Sequence, residues 1–190
     1  QYIHSAIQSV VVALLEATLI IILVVFLFLG NLRAIIIPLF AIPLSLLGGC
    51  VLLSLLGYSI NLLTLLAAVL AIGLVVDDAI VIVENTQRQL NLGSSPVSAA
   101  LESLSEMTGP IIGMTLTLVA VYLPIGLISG LTEKLFAEFA YSLAAAVLFS
   151  GIIALTVSPS MCAHFLKKTP SRFKEKIEAL NDIAIAWYRN

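Results

Sequence analysis

The chain has 190 residues, of which 61% are hydrophobic and 11% are charged, and its formal net charge is -2. Its mean hydropathy is +1.14. A soluble domain has about half apolar and about a quarter charged residues, so this composition excludes an ordinary soluble domain and predicts an integral membrane protein. A small negative net charge gives no indication of nucleic-acid binding. We therefore expect membrane lipid, and no nucleic acid, as a partner.

Five hydrophobic stretches are long enough to cross a bilayer core, which takes ~20 helical residues. The predicted spans are residues 9–29, 35–56, 62–84, 109–128 and 139–157. They predict an all-α membrane protein with one transmembrane bundle over residues 1–166. The second span contains Pro38, Pro43 and the Gly48-Gly49 pair, which favour kinks and close helix contacts.

Two further helices are predicted outside the spans. Ser95 and Pro96 are typical of an N-cap and a first helical position. The helix after them, up to Glu106, is too short and too polar to span, so we expect a short surface helix. Residues 167–190 repeat apolar side chains at helical spacing beside basic ones, which predicts a cytoplasmic amphipathic helix on the membrane surface. A soluble helix that packs on a missing partner is the alternative.

The basic residues are distributed unequally between the two sides of the predicted bundle. If the turn at residues 30–33 lies in the cytoplasm, the opposite side carries only Lys134. The cytoplasmic side then carries Arg33, Arg88, Lys167, Lys168, Arg172, Lys174, Lys176 and Arg189. By the positive-inside rule, we expect the N-terminus outside the cytoplasm and the C-terminus inside it.

The third span contains two adjacent acids, Asp77 and Asp78, inside an otherwise apolar run. A carboxylate at the middle of a membrane helix costs roughly 3 kcal/mol, so a helix that only anchors the protein has no reason to carry two. The low dielectric disfavours the charged form of each acid, and each acid disfavours ionisation of the other. We therefore predict a proton relay inside the membrane. A buried structural polar pair that fixes the helix register is the alternative.

Three residues near the pair are predicted to support it. Gly73 lies one turn before Asp77 on the same side and would admit a neighbouring helix. Glu84 shares that face two turns later, where it either extends the proton path or marks the helix end in water. Asn85 is interpreted as a polar group at the end of the helix.

Two other polar residues inside the spans are weaker candidates. Glu16 is the remaining acid within a span, and it either faces a water-filled groove or reaches the headgroups. Thr115 is a candidate relay hydroxyl, although a threonine can also satisfy itself by bonding to its own helix. His4 and His164 lie outside the apolar spans without a second ligand at metal spacing, so no metal site is predicted.

The sequence around the acids resembles the fourth transmembrane helix of resistance–nodulation–division transporters. The similarity rests on Gly73-x-x-x-Asp77-Asp78, on Glu84-Asn85 after it, and on Gly57-Tyr58-Ser59-Ile60-Asn61 before it. Further similarity is found in Phe28-Leu29-x-Asn31-Leu32-Arg33 and in Ser158-Pro159-x-Met161-Cys162-Ala163, which resemble the turn after the second helix and the end of the sixth. The chain is thus similar to helices two to six of such a pump and the cytoplasmic helix that follows. The adjacent aspartates resemble the hydrophobe/amphiphile, or multidrug, branch.

The resemblance implies a homotrimeric inner-membrane pump driven by proton influx, with a periplasmic adaptor and an outer-membrane channel as partners. In that family the two aspartates pair with a lysine from the second half, and proton binding is coupled to periplasmic domains that extrude the drug. The present segment would then be the proton-translocating part, inactive without the remaining helices and periplasmic domains. Protons are the coupling ion, and no other cofactor is implied.

Two other functions fit less of the pattern. An intramembrane aspartyl protease needs two aspartates that converge from two helices, whereas Asp77 and Asp78 share one helix and only Asp182 remains, in the tail. We therefore expect no enzymatic activity. A sterol-sensing or protein-export relative would have the same helical core. Such proteins do not typically carry the Gly-x-x-x-Asp-Asp run followed by Glu-Asn.

Overall fold

The computed structural model describes residues 8, 12–13, 15–24, 32–59, 61–127 and 133–167. In these residues the chain forms helices and turns and no β-strand. A short apolar helix, α1, covers Leu15–Val24. The longer helices are α2 (Leu32–Leu55), α3 (Leu62–Leu92), α4 (Pro96–Ile125) and α5 (Glu133–Phe165). The prediction of an all-α membrane protein is confirmed, because these four helices are each long and apolar enough to cross a membrane.

The predicted ends of the spans differ from the ends of the helices. α3 begins at Leu62 as predicted but continues to Leu92 instead of ending at residue 84. α5 begins at Glu133 rather than at residue 139, and it passes through Pro159 to Phe165 rather than ending at residue 157. The backbone hydrogen bonds of a helix form within the helix itself, in water as in lipid. Hydropathy therefore locates the part of each helix that lies in hydrocarbon, and not the helix ends.

The predicted surface helix and the predicted fourth span are one helix, α4, so the prediction of a separate surface helix is corrected. α4 begins after its N-cap Ser95 and passes through Pro110 without a break. A proline removes one backbone hydrogen bond and crowds the preceding turn. Residues on both sides of it, among them Ala99 and Ile111, are fully buried in the bundle. This packing stabilises the helix across the proline.

α5 lies at the centre of the bundle, where it packs against α2, α3 and α4. α3 also packs against α2 and α4, whereas α2 and α4 make no contact in the part of the chain that the structure describes. A Cβ at Gly49 of α2 would lie 3.2 Å from backbone atoms of Ala146 on α5, so the predicted close contact at the glycine pair is confirmed. α1 contacts a cluster of α2 and α3 side chains through Ala17 and Ile21.

The turn between α2 and α3 holds one end of α3 against α5. The side chain of Asn61 caps α3 by accepting backbone N–H groups of its first turn, and the hydroxyl of Thr64 accepts the Asn61 N–H. Asn61 also donates a hydrogen bond to a carboxylate oxygen of Glu138 on α5. The rings of Tyr58 and Tyr141 lie 5.6 Å apart between centroids. Burial, with Tyr141 and Glu138 nearby, raises the pKa of Tyr58.

Two predicted helices lie wholly or partly outside the described residues. The predicted first span, residues 9–29, is described in part, and Leu15–Val24 within it is helical. The rest of that span stays a prediction. The amphipathic helix predicted over residues 167–190 also stays a prediction, since Lys167 is its only described residue.

Candidate functional site

Asp77 and Asp78 lie near the middle of α3, but they face different surroundings. Asp78 is 4% exposed, whereas Asp77 is exposed. Successive residues of a helix point about 100° apart, so a helix that packs on one side buries one of two adjacent acids more than the other. Within this segment the two carboxyl groups therefore do not form one compact site. Asp78 faces the bundle, and Asp77 faces away from it.

Asp78 has a partner on α5. The hydroxyl of Ser150 donates a hydrogen bond to Oδ2 of Asp78 at 2.7 Å, and the Ser150 hydroxyl oxygen also lies 3.0 Å from the carbonyl oxygen of Val75. Ser150 is itself only 2% exposed. Val75 and Asp78 are one turn apart on α3, so a single hydroxyl of α5 contacts two groups of α3. Ala79, the residue after Asp78, belongs to a buried apolar cluster with Ala41 of α2 and Ile153 of α5.

Asp77 belongs to a row of exposed residues along α3, the open face. The open face consists of Leu66, Leu70, Gly73, Asp77, Glu84 and Arg88. A Cβ built at Gly73 would meet no atom of the described residues within 4 Å. The close helix approach predicted at Gly73 is therefore not made by a described helix of this segment. Glu84 does share the face of Asp77, as the spacing predicts, but it lies two turns before the helix end.

Asn85 belongs to a polar network between α3 and α4. Glu106 of α4 accepts hydrogen bonds from Asn85 at 2.8 Å, from Arg88 at 2.8 Å and from Gln89 at 3.0 Å. Arg88 also donates to the amide oxygen of Asn85 at 2.9 Å. Asn85 is 6% exposed, and α3 continues for seven residues beyond it, to residue 92. The interpretation of Asn85 as a helix-end group is therefore wrong: its side chain ties α3 to α4.

Replacing Glu106 by alanine should lower the free energy of unfolding by about 1–2 kcal/mol, because buried Asn85 and Gln89 lose their acceptor. Glu102 is the matched control on the same helix, since it is exposed and, among the described residues, bonds only to the hydroxyls of Ser94 and Ser98. Glu102→Ala should change the same quantity by less than about 0.5 kcal/mol. Thermal unfolding of the two purified variants measures both effects. Equal destabilisation would show that the network does not hold α3 to α4.

The two weaker candidates make no hydrogen bond to either aspartate in the described residues. Glu16 is exposed on α1. Thr115 of α4 is 8% exposed, and its hydroxyl has no hydrogen-bond partner among the described residues. It lies 2.6 Å from the position that a Cβ on Gly151 of α5 would occupy. Thr117 does bond to the carbonyl of Gly113 in its own helix. Among the described residues, Thr117 therefore bonds to its own helix, whereas Thr115 does not.

Ser150 and Glu106 are the residues of this region that the sequence analysis did not single out. A serine in a membrane helix commonly bonds to its own preceding turn. Ser142 of α5 does so, with its hydroxyl donating to the carbonyl of Glu138 at 2.6 Å. No sequence signal distinguishes Ser150 from Ser142. Only the packing of α5 on α3 shows which of the two meets an acid.

Comparison with known proteins places the chain among bacterial transporters. A profile of the AcrB/AcrD/AcrF family matches residues 1–190. The chain is 49% identical to an uncharacterized transporter of Haemophilus influenzae over 178 residues, which are 93% of this chain and 17% of that protein. It is 41% identical to the multidrug resistance protein MdtC of Pectobacterium atrosepticum and to that of Yersinia enterocolitica, in each case over 97% of this chain and 18% of the relative. The chain therefore spans less than a fifth of the length of these relatives.

Proposed function

The chain belongs to the AcrB/AcrD/AcrF family of membrane transporters, and we propose that it is the proton-translocating part of a proton-driven multidrug efflux pump. The resemblance to resistance–nodulation–division transporters is confirmed by this membership and by the multidrug resistance proteins among the relatives. The proton relay is supported by one observation above all. Asp78 is an acid buried among helices near the middle of α3, and it hydrogen-bonds across the bundle to Ser150.

A buried carboxyl group can change its charge only by exchanging a proton. Hydrocarbon surroundings disfavour an uncompensated charge, so each exchange at Asp78 changes the energy of α3 relative to the helices around it. Helices that pack in two discrete arrangements can convert such a local change into movement. The membrane potential adds roughly 2.3 kcal/mol for each charge that crosses 100 mV. Proton binding in this bundle is therefore a suitable driving step for drug export.

The open face supports the proposal that other parts of the pump complete the relay. Asp77 lies on that face among leucines, where a charged group needs a polar partner. The described lysines, Lys134 and Lys167, lie at or beyond the ends of α5. A cationic side chain from the remaining helices is the partner that fits Asp77, and Glu84 offers a second acid on the same face. In this proposal the segment is inactive alone.

The family also supports a proposal for the rest of the assembly. The four long apolar helices and the relatives make this a membrane protein of the bacterial inner-membrane type. We propose a homotrimer when full length, with a periplasmic adaptor and an outer-membrane channel as partners, the N-terminus in the periplasm and the C-terminus in the cytoplasm. The segment is not an enzyme, and protons are its coupling ion without another cofactor. No observation favours the sterol-sensing or protein-export alternative.

The proposal is tested by proton movement in liposomes that contain a full-length transporter carrying this segment. Adding a drug substrate should speed the collapse of an imposed proton gradient, followed with a pH-sensitive dye. The double variant Asp77→Asn/Asp78→Asn should show no drug-dependent collapse, while Glu102→Ala should behave as the unmodified protein does. Drug-dependent collapse at an undiminished rate in the double variant would refute the proton relay.

A further inference from the structure

We propose that Ser150 is a positioning residue for Asp78, and that its hydroxyl turns between two acceptors of α3 as Asp78 gains or loses a proton. The inference rests on the proposed proton relay. Its basis is the position of the Ser150 oxygen, 2.7 Å from Asp78 Oδ2 and 3.0 Å from the carbonyl oxygen of Val75. A serine hydroxyl has one proton to donate, so it cannot serve both acceptors fully at once.

The protonation state of Asp78 decides which acceptor Ser150 serves. An ionised carboxylate only accepts, and a hydrogen bond to it is stronger than one to a neutral carbonyl, so the hydroxyl then donates to Asp78. A protonated Asp78 can donate its own O–H to the Ser150 oxygen, which frees the hydroxyl to donate to the carbonyl of Val75. That carbonyl has a second lone pair besides the one used within the helix. Ser150 keeps its own proton throughout, and only the direction of donation changes.

The neighbours of Ser150 connect this switch to two further helices. Phe149 lies against Gly48 of α2, where its ring occupies the space that a Cβ would need. Gly151 lies against Thr115 of α4, with the threonine hydroxyl 2.6 Å from the corresponding position. Such closely packed contacts transmit a displacement rather than absorb it. A displacement of α5 at Ser150 would therefore be passed to α2 and α4 together.

No other ionisable group of the described helices competes for this contact. Asp77 is adjacent in sequence but exposed on the open face. The ionisable residues of α2, α4 and α5 are Arg33, Cys50, Glu102, Glu106, Tyr122, Glu133, Lys134, Glu138, Tyr141, Cys162 and His164. Among the described residues, the side-chain hydrogen bonds at this place join Ser150 to Asp78 and to the carbonyl of Val75, and no side chain of this set takes part in them. Of these residues, Tyr122 packs against the apolar cluster that contains Val75.

The test uses a full-length transporter carrying this segment, reconstituted in liposomes. Ser150→Ala should lower drug-dependent proton transport by roughly tenfold. In infrared difference spectra, the carbonyl stretch of protonated Asp78, recognised by its absence in Asp78→Asn, should move to higher frequency because a hydrogen bond is lost. Ser150→Thr keeps a hydroxyl and should restore most of the transport. Ser150→Cys is almost the same size as serine, but its sulfur is a weak acceptor for the O–H of protonated Asp78, so it should show the same shift of the stretch.

Ser142→Ala is the matched control, because Ser142 is also buried on α5 and bonds only to its own helix. It should change neither transport nor the stretch. An unshifted stretch in both Ser150→Ala and Ser150→Cys, or equal loss of transport in Ser142→Ala, would overturn the role of Ser150 while Asp78→Asn still abolishes transport. Transport that survives Asp78→Asn would instead overturn the proposed function.

Discussion

Replacing Asp78 by asparagine is expected to reduce drug resistance to the level of cells that lack the transporter. Asparagine has nearly the size of aspartate and can still hydrogen-bond to the hydroxyl of Ser150, but it cannot release a proton. The free energy of unfolding should therefore stay within about 1 kcal/mol of the original value. The loss of resistance is measured as the lowest drug concentration that stops growth of cells that lack their own efflux pumps and express the variant. Immunoblots of the membrane fraction show whether the variant is present in normal amount.

Two other acids of α3 serve as comparisons. Asp77→Asn should also abolish resistance, without any effect on stability, because no described residue hydrogen-bonds to the exposed carboxylate. Glu84→Gln decides whether the proton path continues along the open face. If Glu84 is part of the path, this substitution should lower drug resistance; if it is not, resistance should be unchanged. Undiminished resistance in Asp78→Asn, at normal membrane abundance, would contradict the relay.

Replacing Gly49 by leucine is expected to lower the free energy of unfolding by about 3 kcal/mol or more. A Cβ at this position would lie 3.2 Å from the nitrogen and Cα of Ala146. These are backbone atoms, so they can give way only if α2 and α5 separate. Overpacking of a tight core costs typically about 1–3 kcal/mol, and a leucine side chain adds three further carbons to the crowded methyl. The loss of stability is measured by thermal unfolding, with the folded protein that remains after heating quantified by size-exclusion chromatography of a fluorescent fusion.

Gly113 is the matched control on α4. A Cβ at Gly113 would meet no atom of the described residues within 4 Å, and the position is exposed. Gly113→Leu should change the free energy of unfolding by less than about 0.5 kcal/mol. Comparable destabilisation by the two substitutions would mean that the close approach of α2 and α5 does not limit stability.

The amino-acid sequence by itself determined the class of the protein and its family, and it singled out the two acids that we propose for proton transfer. Long apolar stretches must form helices in a bilayer, because hydrocarbon offers no hydrogen-bond partners to the backbone N–H and C=O groups. Two acids within such a stretch are recognisable as functional candidates, because placing a carboxylate in hydrocarbon costs free energy. The start of α3 was also predictable, since Asn61 and the turn before it are local signals. These properties belong to single segments, and no knowledge of neighbours is needed to recognise them.

Only the tertiary structure decided which acid faces the bundle and which groups it meets. In a membrane, lipid is as apolar as a protein core, so hydrophobicity does not tell which side of a helix is buried. The rotation of α3 depends instead on close contacts such as the one between Gly49 and Ala146. That packing buries Asp78, places Ser150 against it, and leaves Asp77 on the open face. Such contacts join residues far apart in the chain, and no local pattern in the sequence specifies them.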